Sequence, residues 1–162
     1  MNVPSALLRP AVAADEPHLF HVYAASRTAE LALVSWSRDE QIRFLTQQHE
    51  AQRASYRQLH AEAEFLVIEL PDGRPIGRMY LSRVAVSEIR VLDIALLPEW
   101  CGQGVGSALL RVLLAEADAA GDMVSLHVEI WNPAVNLYER LGFVEVGRND
   151  IHIRMEHHPP TS

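Results

Sequence analysis

The chain has 162 residues, 49% hydrophobic and 22% charged, enough for one domain with a core of its own and an ordinary balance for a globular protein. Its net charge of −7 argues against a nucleic-acid binder, which needs a basic face; it mildly favours a cationic partner and also serves solubility. All 14 basic residues are arginine and Cys101 is the single cysteine, which excludes a lysine Schiff base, a P-loop lysine, an internal disulfide and a cysteine-based zinc site.

Residues 6–12 read as a first strand. Asp15, Glu16 and Pro17 open a helix that runs to about Arg27, with acidic residues and an early proline in the first turn. Residues 28–36 are ambiguous between a helical turn and a loop. Ser37 and Glu40 form a capping box, so a long helix is expected to about His60. Its apolar seam is Ile42, Leu45, Tyr56 and Leu59, with His49 and Gln52 in the middle. The seam fits either a half-exposed helix or one that lines a polar pocket.

Residues 64–70 and 75–84 read as a hairpin around Pro71-Asp72-Gly73-Arg74. A strand at 89–97 follows and stops at Pro98. A glycine loop and a helix to about Ala120 come next, closed by Gly121. Residues 123–131 form a strand, which a helical crossover should set parallel to 89–97. A short helix at 134–141 and a hairpin at 143–147 and 150–156 complete the order, and 158–162 read as a disordered tail. No apolar run approaches the roughly 20 residues of a membrane span. The segment MNVPSALLRP lacks the pattern of a signal peptide. The cytoplasm is the expected location.

The loop carries Gly102, Gly104 and Gly106 between a strand and a helix. That arrangement offers free backbone N–H groups and a positive helix end to a phosphate. A dinucleotide fingerprint is nearly met, but the unit is preceded by antiparallel strands and not repeated into a doubly wound sheet.

The second informative stretch is NPAVNLYERLGF, residues 132–143. With Cys101-Gly102-Gln103-Gly104-Val105-Gly106 on the preceding unit, it resembles the GNAT superfamily of acyl-coenzyme A-dependent N-acyltransferases. The first segment matches that family's pyrophosphate loop, Arg/Gln-x-x-Gly-x-Gly/Ala, and the second its Asn, Leu-Tyr, Leu-Gly-Phe ending. Cys101 departs from the family's Arg or Gln. A cysteine nucleophile for ping-pong transfer is a minor alternative, since a thiolate needs an activating base or cation.

The resemblance implies an α/β (mixed α+β) GNAT fold over 1–157. Its central sheet would have about seven strands, with the fourth and fifth parallel and splayed and helices on both faces. It implies acetyl-CoA as cosubstrate, no metal, and direct acetyl transfer to the amine of a small molecule or peptide; a homodimer is possible. Ile94, Ala95 and Leu96 would pair with the pantetheine arm, Gly102, Gln103, Gly104, Val105, Gly106 and Ser107 would hold the pyrophosphate, and Asn132 would contact the arm. Tyr138 would act as general acid at the sulfur and also border the cofactor. Candidate bases are Glu129, His127 and Asp93, the last expected to be raised in pKa by an apolar strand. Acceptor contacts would come from Arg27, Glu30, Trp36 and Tyr56. The alternative is a degenerate module that binds acyl-CoA without catalysis.

Overall fold

The computed structural model describes residues 3–83 and 85–161. Strand β1 is Leu7–Pro10, followed by helix α1 at Glu16–Ser26 and the single turn α2 at Thr28–Leu31. Helix α3, Arg38–Leu59, starts at the expected box: the Glu40 N–H donates to the Ser37 hydroxyl, and the Ser37 N–H to the Glu40 carboxylate at 2.7 Å. Strands β2 (Glu64–Glu69), β3 (Pro75–Ser82) and β4 (Glu88–Leu96) form an antiparallel meander. Residue 84, expected at the end of β3, lies outside the described residues. Then come α4 (Val105–Ala120), β5 (Met123–Glu129), α5 (Ala134–Arg140), β6 (Val144–Arg148) and β7 (His152–His157). The element order agrees with the expected one; boundaries move by one or two residues.

The seven strands form one sheet in the order β1-β2-β3-β4-β5-β7-β6. The last hairpin enters with β7 beside β5, leaving β6 at the edge. Alternation sorts β3 between two layers. Met79 and Leu81 join the main core with α4 and Phe143, while Arg78 and Tyr80 face α1 and α3. A second apolar cluster, Tyr23, Leu31 and Leu45, sits on that other side.

The seam expected along α3 is partly wrong. Leu45 is buried, but Ile42 and Leu59 are exposed, and the polar His49 is buried instead. The face of α3 turned to the sheet is therefore polar and aromatic, carrying His49, Gln52 and Tyr56.

One feature of the sheet positions everything else. The parallel β4–β5 ladder runs only from Glu88↔Met123 to Val91↔Leu126. Beyond it, β4 follows β3 up to Gly77↔Leu96, and β5 follows β7 up to Glu129↔His152. Each strand keeps its outer neighbour and parts from its inner one. A register break between Tyr80 and Leu81 leaves Leu92 as an extra residue on β4 where the parting begins. Such bulges bend a strand and raise its twist. The inner edge of β4 thus has backbone groups without a strand partner.

Candidate active site

A cleft of about 710 Å³ opens where β4 and β5 part. Asp93, Ile94, Ala95, Glu129 and Tyr138 line it from the sheet and α5, with Asn132 from the loop between β5 and α5, and Glu30, Gln52 and Tyr56 line it from α2 and α3, with Arg27 from the junction of α1 and α2. The structure therefore brings together most of the residues expected at the site. Leu96 packs against the core instead, and the glycine loop lies past the end of β4, outside this wall.

The loop is built from backbone. Gly102 and Gly104 have φ of 74° and 83°, left-handed values that glycine adopts without Cβ strain. Gly104 caps α4 with no side-chain hydrogen bond, so the first-turn N–H groups are left for a ligand. Val105 is fully buried and pins the turn to the core. Gln103 donates to the Glu99 carbonyl at 2.6 Å. The thiol of Cys101 points to the Leu97 carbonyl at 3.5 Å, and Cys101 does not line the cleft, so the nucleophile alternative has no support. Uncapped N–H groups beside two left-handed glycines, with a free strand edge leading to them, fit a long ligand carrying a phosphate.

Tyr138 is buried at the inner wall, edge-on to Phe143 at 5.7 Å. Burial, with Asp93 adding to it, pushes its hydroxyl up to about 12, so it stays protonated. Asn132 accepts from the Ala134 N–H at 2.9 Å, which starts α5 and spends one of its side-chain oxygen's lone pairs.

The candidate bases separate. Asp93 is not the isolated carboxylate that its apolar run suggests: the Arg78 Nε donates to it at 2.5 Å. His127 is occupied too. An Arg90 Nη2 lies 2.9 Å from its Nδ1; the guanidinium can only donate, so Nδ1 accepts and the ring proton sits on Nε2. Burial, then Arg90, lowers its pKa. Glu129 is exposed at the cleft wall and enters none of the ion pairs of the described residues.

On the opposite wall Arg27 pairs with Glu30 at 2.7 Å and donates to the Tyr23 hydroxyl at 2.6 Å. The two acceptor-side charges cancel. Trp36 does not line the cleft; it stands 41% exposed against Phe44, because α2 ends five residues before it. Arg78 and Tyr23 are site residues that sequence reasoning missed. A lone arginine in the apolar run IGRMYL was the available signal for Arg78.

A model of the acetyltransferase (GNAT) family matches residues 25–143. The chain belongs to that family. Among relatives of this GNAT chain, the [ribosomal protein bS18]-alanine N-acetyltransferase of Escherichia coli (strain K12) is 30% identical over 100 residues, 60% of this chain. The match spans 64% of that relative's length. The paia N-acetyltransferase of Thermoplasma acidophilum, solved in complex with coenzyme A, superposes with a TM-score of 0.71 at 20% identity, over 95% of this chain and 99% of that one. The structure of the Escherichia coli ribosomal-protein-S18-alanine N-acetyltransferase superposes at 0.65 with 22% identity, over 98% and 96%. These likenesses show the GNAT fold. Among the described residues no helix is long and apolar enough to cross a membrane.

Proposed function

We propose that the protein transfers an acetyl group from acetyl-CoA to a primary amine, directly and in a ternary complex. The observation that carries this reading is the parting of β4 from β5 next to an uncapped, glycine-built helix start. Residues 102–107 would hold the pyrophosphate through backbone N–H groups, and the free edge of β4 at Ile94 and Ala95 would pair with the pantetheine arm. The bound cosubstrate supplies an activated thioester.

The acceptor arrives as an ammonium ion. Glu129, a cleft carboxylate outside the ion pairs of the described residues, attracts it and takes the proton, directly or through a water. The amine nitrogen then bonds to the carbonyl carbon as the carbon–sulfur bond breaks, and the nitrogen's second proton passes through water to the departing thiolate, which leaves as the free thiol. A β4 backbone N–H supports the carbonyl oxygen as charge builds on it. Tyr138 donates a hydrogen bond to the departing sulfur. Its high pKa makes it a better hydrogen-bond donor than a full proton source, since a thiol is the stronger acid.

Ligand-dependent melting tests the first half of the reading. Coenzyme A at 100 times its dissociation constant should stabilise the fold by about 2.7 kcal/mol, and NAD at equal concentration should not. Stabilisation by NAD alone would favour a dinucleotide-binding loop.

A further inference from the structure

A second cavity, of about 320 Å³, lies where the start of α1 and the last turns of α3 meet β2 and β3. Val12, Leu19, Tyr56, Phe65 and Tyr80 form its apolar walls. Three of these are aromatic. Tyr80 stands opposite Phe65 in the β2–β3 register, edge-on at 4.9 Å, and edge-on to Tyr56 at 5.7 Å. Packed interiors hold few voids larger than a water molecule, whereas ligand pockets have about this volume, apolar and aromatic walls and a few polar groups. Tyr56 alone, among the described residues, lines both this cavity and the cleft between β4 and β5. The cavity therefore adjoins the cleft without being part of it.

The polar lining is cationic. Arg53 and Arg57 lie four residues apart on α3, so they share a face and repel each other. Glu16, at the start of α1, pairs with Arg53 at 3.0 Å. Arg57 enters none of the ion pairs of the described residues. Two guanidiniums thus stand against one carboxylate, and one positive charge is left beside an aromatic wall.

We propose that this cavity binds an aromatic monocarboxylate, its ring against Tyr56, Phe65 and Tyr80 and its carboxylate on Arg57. A carboxylate matches the guanidinium fork and accepts two N–H bonds at once. Its one negative charge balances the one positive charge left over, while a dianion would also meet Glu16. A cation would face two arginines, and an uncharged ring would leave Arg57 as it is. Aromatic rings favour edge-to-face and offset contacts with one another, which this wall offers. Neither a thioester nor an amine takes part, so the inference stands apart from the acetyl-transfer reading.

Calorimetry with the full chain and phenylacetate tests the proposal without any turnover. Phenylacetate should bind saturably, and phenylacetamide, its uncharged counterpart, at least about 10-fold more weakly. Arg57→Gln should lower phenylacetate affinity at least about 10-fold. It should leave phenylacetamide affinity and the melting temperature unchanged, because Arg57 is exposed. Coenzyme A at saturation should not displace phenylacetate. Absence of saturable binding, equal affinity for the amide, or unaltered phenylacetate affinity in Arg57→Gln overturns the proposal. Displacement by coenzyme A overturns it as well, because it would place the ring in the cleft between β4 and β5.

Discussion

The carboxylate of Asp93 and the guanidinium of Arg78 meet at 2.5 Å across β3 and β4, with side-chain exposures of 23% and 3%. The pair sits two residues from where β4 leaves β5. Burial alone would discourage the Arg78 charge, and Asp93 more than offsets it, holding the guanidinium pKa above its ordinary value. Substituting Asp93→Asn strands a buried cation, and breaking a buried pair from one side costs about 3 kcal/mol. Urea denaturation should read that loss with an unchanged slope. A loss under 0.5 kcal/mol would mean that the pair contributes no stability.

Glu129→Gln should behave in the opposite way. The residue is exposed and enters none of the ion pairs of the described residues, so stability should change by no more than about 0.5 kcal/mol. Turnover should fall about 100-fold or more, as expected for a lost general base, with coenzyme A affinity kept. If Asp93→Asn removes turnover at full stability and Glu129→Gln does not, the two roles are exchanged.

Tyr138→Phe keeps the ring contact with Phe143 and deletes only the hydroxyl. The expected result is a fall in kcat of about 10- to 100-fold, a small change in coenzyme A affinity, and retained stability. Unaltered kcat would show that the hydroxyl does not assist the leaving sulfur.

His49 gives a pH signature. It is buried between Phe20 and Tyr23, its ring nitrogens have no partner among the described residues, and burial, then Arg78 and Arg53, push its pKa down from 6.5 to about 4. Between those values the unfolded chain binds a proton that the folded chain refuses. Stability is therefore complete above pH 6.5 and declines as pH falls to 4, by at most about 3 kcal/mol. His49→Leu should flatten that decline in denaturant melts at successive pH values. An unchanged slope would place the acid sensitivity elsewhere.

Much of this was legible in the sequence, for identifiable reasons. Ser37 with Glu40, the 102–106 glycines and the Gly121 stop are local signals, and each acts within a few residues of itself. The parallel crossover follows from a helix between two strands. What escaped depends on contacts distant in sequence. Asp93 reads as an isolated charge until Arg78, fifteen residues away, folds beside it. His49 reads as a polar residue in the seam, fitting a half-exposed face or a polar pocket, until α1 closes over it, and Trp36 reads as a substrate contact although α2 ends too early to turn it inward. Arg27 and Glu30 do reach the cleft, but as a mutually neutralised pair, which spacing alone does not reveal.

The central claim is direct transfer from acetyl-CoA to an amine in the cleft between β4 and β5. Thiol release, followed continuously with acetyl-CoA in the presence and absence of alaninamide, tests it most directly. The account predicts steady release only when the amine is present, with stoichiometric N-acetylalaninamide and no acetyl group left on the protein. Coenzyme A binding without release for any amine, or a burst of thiol with acetylated protein in the absence of amine, would contradict it.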